Sequence, residues 1–585
     1  MPMLYLYAFK NAALAASASR SFECKERLFV NKKAPRGILF LSGLMILTLL
    51  LAACGGNATP QASKKQVPLS IVGVTNGDWP KNFNPYSSTA NSGAQGMIYE
   101  TLMFYNRFDG SVKPWLAASQ QLSSDATSVT YHLRQGVKWS DGQAFTSDDV
   151  LFTLNLLQKY SGMDVSGLWN SIKTVTAPDA NTVVVTFKSP SAPILWYLGG
   201  QTYILAKHTW SKVKGDPSQY ADPAPMGTGP YTLSTFTPQL YTFVKNPHYW
   251  QPGKPEVEKL TFPAYNGNTS SELALDQGKI IWAGLYIPKI EQTYIARDSV
   301  HNHYWFPASD TVYLALNLAK SPFNQFAVRQ AISLAIDRDQ LYKVGENGFE
   351  PVAHPTALLL PYQKNLLSPN YANASFAMNV TRATQLLESA GYTKGSDGIY
   401  ADKSGKKLSF GLNVVEGWTD WITDCQIITT NLQAIGIKVT VNILNYDAYY
   451  SNLQQGKYDI SLSSSTPGPT PYYWFNAVLN SANSAPVGQN ANSNFERWQD
   501  PSTDKLLSTL AGAVDTSSQQ QAMAGIEKIM VDQLPVIPLT NEPYWYEYNT
   551  AHFTGWPDSD HPYATPAPYM APDSEVVLLN LHPVD

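Results

Sequence analysis

YHLRQGVKWSDGQAFTSDDVLFTLNLL, residues Tyr131 to Leu157, reads as a strand, a tight turn, a short strand and a helix. Tyr131 and Leu133 continue an alternation that starts at Val129, the pattern of a half-buried strand. Ser140-Asp141-Gly142 carries turn chemistry, with Gly142 free to take positive φ. Ser147 is placed to cap a helix, and Asp148 and Asp149 follow where the helix dipole favours negative charge. Val150, Leu151, Leu154 and Leu157 then make an apolar stripe at helical spacing. Asp148 and Asp149 could pass for a paired acid and base, but adjacent residues diverge on a helix, so the helix-start reading is preferred.

Around this unit lies a chain of 585 residues, too long for one core, so two or three domains are expected. Residues 1–53 carry seven Lys/Arg against two Asp/Glu, so the rest of a chain of net charge −4 sits at −9. A mildly acidic body without a basic stripe argues against nucleic acid. Lys32, Lys33 and Arg36 precede an apolar run from Gly37 that ends Leu51-Ala52-Ala53-Cys54, the layout of a secretory signal too short to span a membrane comfortably. Residues 1–53 are therefore expected to be a leader, with translation starting near Leu28 or Val30, and 54–66 a polar tether. Removal of the leader leaves Cys54 and Cys425, which excludes a cysteine-built metal site; with Cys54 lipidated, no internal disulfide is possible.

Further along, Pro68 to Val74 suits a strand, Pro230 to Val244 a hairpin, and Ala327 to Lys343 a helix. Asp420 to Ile443 reads as a helix stopped by Gly436 and followed by a strand. Leu534–Leu539, interrupted by Pro535 and Pro538, fits a sheet edge. No nucleophile with its base, no HExxH and no carboxylate pair for a glycosidase is nominated, so neither catalysis, a metal nor a cofactor is expected. Aromatic residues do collect beside turns: Trp79 after Gly77-Asp78, Trp418 and Trp421 around a helix start, Tyr472, Tyr473 and Trp474 after a Pro-rich run, and Trp556 near the end. Rings at element ends are candidate walls of a binding cleft.

Four segments also resemble one family. The opening stretch, Gly227-Thr228-Gly229-Pro230-Tyr231 with Asn246-Pro247-His248-Tyr249-Trp250, Asn317 to Asp337, and Ala383 to Tyr392 are similar to solute-binding protein family 5, the oligopeptide-, dipeptide- and nickel-binding lipoproteins of ABC importers. Leu-Ala-Ala-Cys looks like the bacterial lipobox that makes Cys54 the lipidated first residue of the mature protein.

The resemblance implies an α/β, two-lobed periplasmic-binding-protein (Venus flytrap) fold with an additional domain and mixed sheets. It implies a first domain made of 67–112, 225–305 and 535–585, a second of 113–224, and a second lobe of 306–534. It also implies an extracytoplasmic monomer, anchored to the membrane by lipid, that captures a solute between its lobes and delivers it to permease subunits.

Peptide binders of the family carry an acidic residue after the strand matching Tyr458–Leu462, to pair with the peptide ammonium. Here Ser463 to Asn476 holds no Asp or Glu, and an unpaired buried ammonium is costly. Gly417-Trp418-Thr419-Asp420-Trp421 and Thr554-Gly555-Trp556-Pro557 with Asn541 are similar to the cello- and mannan-oligosaccharide-binding branch. A β-linked oligosaccharide is thus preferred over an oligopeptide, with Trp79, Asn84, Trp418, Trp421, Tyr472, Tyr473, Trp474, Asn541 and Trp556 as expected ligand contacts.

Overall fold

Tyr131 lies in the strand Ser128–Leu133 of a four-stranded antiparallel sheet, ordered Ala117–Leu122, Ser128–Leu133, Thr182–Phe187, Ile172–Asp179. Val129, Tyr131 and Leu133 are buried, as the alternation requires. The helix is Ser147–Lys159, and its N-cap is Thr146, one residue before the expected Ser147. Thr146 wins because Asp149, at the third helical position, accepts a hydrogen bond from the Thr146 backbone N–H at 3.0 Å and closes a capping box. Ser147 Oγ instead donates to the Asp179 carbonyl at 2.6 Å, tying the helix to the sheet. Asp148 points outward to an exposed ion pair with Lys207. The two aspartates diverge, and Val150, Leu154 and Leu157 face the sheet.

The computed structural model describes residues 66–584 apart from 76, 109, 361, 362, 466, 467, 514 and 515. The expected leader, tether and lipidated Cys54 lie outside them, and no helix among the described residues is long and apolar enough to cross a membrane.

Two further sheets, both mixed, define the lobes. The first has seven strands in the order Asn302–Tyr304, Glu547–Asn549, Trp282–Ala283, Leu69–Val72, Lys259–Pro263, Leu240–Lys245, Tyr231–Thr237. Leu69–Val72 pairs in parallel with both neighbours at its centre, while the flanking pairs are antiparallel. The second has five strands, Lys438–Leu444, Ser409–Val415, Ile460–Ser463, Ala308–Leu316, Ile537–Pro543.

One domain boundary moves. Ile537–Pro543 is the edge strand of the second-lobe sheet, paired with Ala308–Leu316, so the last segment of the first lobe begins after it rather than at 535. Pro538 is tolerated because the strand is an edge. The chain thus crosses between lobes at 305–308 and again at 543–546. The crossings run side by side, with Trp305 N–H on the Tyr546 carbonyl (3.1 Å) and Tyr544 N–H on the Pro307 carbonyl (2.8 Å).

Gly227 and Gly229 owe their identity to close packing. A Cβ on Gly227 would lie 1.7 Å from the Ile98 carbonyl oxygen, and one on Gly229 2.5 Å from that of Met97. Only glycine lets this segment run against 97–98, where Gly229 and Tyr231 N–H groups donate to the Ile98 and Met97 carbonyls. Asn246 Nδ2 ties in the later motif by donating to the Gly229 carbonyl at 2.8 Å, and Trp250 Nε1 donates to buried Glu100 at 2.9 Å.

In the second lobe the helix expected over Ala327–Lys343 is broken. It runs Phe326–Ala335, Ile336 is extended, and Asp337 caps a new turn by accepting from Gln340 N–H at 3.0 Å. The helix Thr419–Ala434 buries Trp421, Cys425, Ile428 and Leu432 in the lobe core and stops at Gly436, φ +74°.

Candidate functional site

A cavity of about 560 Å³ lies where segments of both lobes converge. The first lobe supplies the loop after Leu69–Val72, residues 88–95, Tyr286, Trp545 and Tyr569. The second supplies Trp418, Asp420 and Trp421 at a helix start, Tyr446 at the start of another helix, and Glu542 at the end of the edge strand.

Three of the expected contacts meet here. Trp79 lines the cavity while its Nε1 donates to the Phe262 carbonyl at 3.1 Å and its edge meets Tyr241. Trp418 is half-buried, and Trp421 stands edge-on to it at 5.0 Å between ring centres. Trp421 itself is 3% exposed, so most of the ring belongs to the lobe core.

The other expected contacts lie elsewhere. Asn84 is fully buried outside the cavity, its Nδ2 spent on the Pro217 and Tyr220 carbonyls and its Oδ1 on Tyr86 N–H. Trp556 packs on Trp282 in the first-lobe core and donates to the Phe553 carbonyl. Tyr473 reaches the additional domain, donating to the Pro193 carbonyl at 2.9 Å against the Trp196 ring, and Tyr472 lines a separate small pocket beside Tyr197. Trp474 packs edge-on to Tyr313. Asn541 sits in the edge strand, accepting from Thr311 Oγ1 at 3.3 Å. Glycine- and proline-rich flanks mark an element end without saying which end faces the cleft.

Sequence reasoning missed the polar floor. Asp420 and Glu542 line the cavity, with Asp424, Glu346 and Glu350 buried behind them. Burial raises Asp420 to about 6 and Asp424 to about 8, with Asp420's charge adding to the latter. Burial and the Asp420 charge raise Glu542 to about 7. Glu350 Oε2 accepts from Thr540 Oγ1 at 2.8 Å, and Tyr286 Oη donates to the Gly345 carbonyl at 3.0 Å. These acids come from three segments far apart in the chain, 346–350, 420–424 and the edge strand at 542, so no single local motif announces them. The available signal was the unusual Asp-x-x-x-Asp on the apolar face of the helix that starts at Thr419.

Beside the cavity the lobes touch through backbone. Gly267 and Gly417 both have positive φ, and a Cβ on Gly417 would lie 2.7 Å from the Gly267 Cα. Asn268 N–H donates to the Gly417 carbonyl at 3.2 Å, and Asn268 Nδ2 to Thr419 Oγ1 at 3.3 Å. An alanine at 417 is expected to obstruct this approach and weaken ligand binding roughly tenfold, since ligand binding is coupled to the closed arrangement. Calorimetry on Gly417→Ala measures this, and parental affinity would show that the contact does not govern closure.

Comparison with known proteins places this architecture. Residues 111–486 match the model of the bacterial extracellular solute-binding proteins, family 5. The nickel-binding periplasmic protein of Escherichia coli is 30% identical over 399 residues, covering 65% of this chain and 73% of that protein. A mannohexaose-bound oligopeptide ABC transporter periplasmic oligopeptide-binding protein from Thermotoga maritima superposes with a TM-score of 0.83 at 25% identity, over 89% of this chain and 99% of that one. The oligopeptide-binding protein AppA of Bacillus subtilis, in complex with a nonapeptide, shares the fold with a TM-score of 0.75 at 21% identity, over 89% and 100% of the two chains. The chain belongs to the bacterial extracellular solute-binding proteins of family 5, extracytoplasmic and non-enzymatic substrate-binding components of ABC importers.

Proposed function

We propose that this protein captures an oligosaccharide, with β-linked oligomers favoured, between its lobes and hands it to membrane permease subunits while a lipidated Cys54 holds it at the membrane. The carrying observation is the cavity wall, where Trp79 and Trp545 of one lobe and Trp418 and Tyr446 of the other line a single space. Flat CH faces of pyranose rings stack on such walls, and Asn91, Gln95, Asn268 and Asn445 supply partners for hydroxyls. The mannohexaose carried by the Thermotoga maritima relative supports the same ligand class.

An oligopeptide is the second reading. Ser463 to Asn476 lacks the acid expected beside a peptide ammonium, yet Asp420 and Glu542 bring carboxyls to the cavity from other elements. A calorimetric screen of the purified protein against mannan, xylan and β-glucan oligomers and against peptides separates the two. Binding of a sugar oligomer, recovered intact, is the expected result; binding of peptides alone overturns the oligosaccharide reading, and sugar cleavage would indicate an enzyme.

A further inference from the structure

The cavity lining is lopsided in charge. Asp78 and Asp447 are exposed at its rim and Asp420 and Glu542 lie deeper, while no Lys, Arg or His among the described residues lines it. Asp420 is 6% exposed and its Oδ1 has no hydrogen-bond partner, although the residue borders open space. Behind it Asp424 and Glu346 are buried against each other, and Glu350 Oε1 is also without a partner. Asp310 sits opposite Glu542 in the strand register and is held by the backbone N–H groups of Thr311 and Ser465, both at 2.6 Å.

The largest charge effects on this group are negative: Glu346 and Glu350 feel Asp420 and Asp424, and Glu542 feels Asp420. Buried acids without a cation are unfavourable unless they are neutralised or gain a counter-charge. No group of three or more His, Cys, Asp or Glu among the described residues is arranged to hold a metal ion; protons can neutralise the deeper acids, while Asp420 and Glu542 border open space that an organic cation can reach. The walls suit one as well, because the half-buried indole of Trp418 lines the cavity and an indole attracts a positive charge over its face.

We propose that the Asp420–Glu542 end of the cavity is an ammonium subsite and that the cargo carries a protonated amine. The position of the ligand rests on the cleft-binding reading above, and with an oligosaccharide cargo the ligand is an amino-sugar oligomer. The amine takes the place of the missing counter-charge, while the ring faces hold the remainder of the ligand. Because the carboxyls titrate near neutrality, binding an ammonium draws protons off them, and protons are released on binding.

The test uses matched pairs at pH 6.5: the β-1,4 tetramer of glucosamine against those of N-acetylglucosamine and glucose, and one short peptide with a free or acetylated amino terminus. At least tenfold tighter binding of the free amine within a pair is expected, with heats that depend on buffer ionisation. Asp420→Asn and Glu542→Gln are each expected to shrink that ratio several-fold while melting no lower than the parent. Equal affinities within both pairs, an unchanged ratio in both variants, or no binding of either amine overturns the subsite. An amine preference confined to the peptide pair keeps the subsite and rejects the amino-sugar cargo, whereas tight, equal binding of the glucosamine and glucose tetramers with no amine preference in the peptide pair keeps the oligosaccharide and rejects the subsite.

Discussion

Asp424→Asn is expected to make the ligand-free protein more stable at pH 8 and to leave it almost unchanged at pH 4.5. The cause is the direction of the shifts. Asp424 is raised from an ordinary 3.8 to about 8 by burial and by Asp420, and Asp420 and Glu542 rise to about 6 and 7. A carboxyl whose folded-state value lies above its unfolded one binds more protons in the native protein, so stability falls as pH climbs from about 4 to about 8. Above that window both states are ionised and the slope vanishes.

At about 1.4 kcal/mol per unit, the Asp424 displacement sets an upper limit on the order of 6 kcal/mol. Roughly 2–3 kcal/mol is expected after neighbouring carboxyls take up protons in response. Asparagine keeps the shape, which matters because Asp424 Oδ1 lies 1.8 Å from where a Cβ on Gly345 would be. Thermal melts from pH 4.5 to 8.5 read the result: the parent curve declines with pH and the variant curve is flatter. A variant that melts lower than the parent at pH 8 would show that the Asp424 charge is stabilising.

The two tryptophans at the cavity should separate binding from folding. Trp421→Ala removes a ring that packs with Cys425 and Ile428 inside the second lobe, and a loss of about 3–5 kcal/mol in stability is expected. Trp418→Ala removes a half-exposed ring that lies over Trp421 and near Tyr446. Stability should change little, while binding weakens by about 1–4 kcal/mol, the range for an aromatic anchor. Denaturant unfolding and calorimetry on each variant measure both quantities. Equal effects of the two substitutions on binding, at intact stability, would place both rings in ligand contact.

Much of the scaffold was legible because it is written locally. Alternation at Val129, Tyr131 and Leu133, the acidic helix start at Asp148-Asp149 and the stop at Gly436 are each decided within a few residues, and each appears where read, to within a residue. The break at Ile336 was hidden because the apolar stripe continues through it, and only the Asp337 cap favours a new turn. Aromatic residues at element ends divided into cavity walls such as Trp418 and core pieces such as Trp556, a distinction that depends on which lobe lies opposite. The acidic floor was least legible of all. Glu346, Asp424 and Glu542 are separated by dozens of residues and meet only through the sheet register and the helix above it.

The contact between Gly267 and Gly417 has a bearing on how such a protein can diversify. The closest approach beside the cavity is made by the main chain of two residues without side chains, with Asn268 bridging to Thr419 next to it, so it uses none of the rings and carboxyls of the lining. On the proposed function, substitutions at Trp418, Asp420 or Glu542 would retune the cargo while leaving this approach of the lobes in place. If Gly417→Ala weakens binding as expected, cargo and closure are separately heritable: drift in the lining would alter what is bound, and drift at the two glycines would alter how readily the lobes shut.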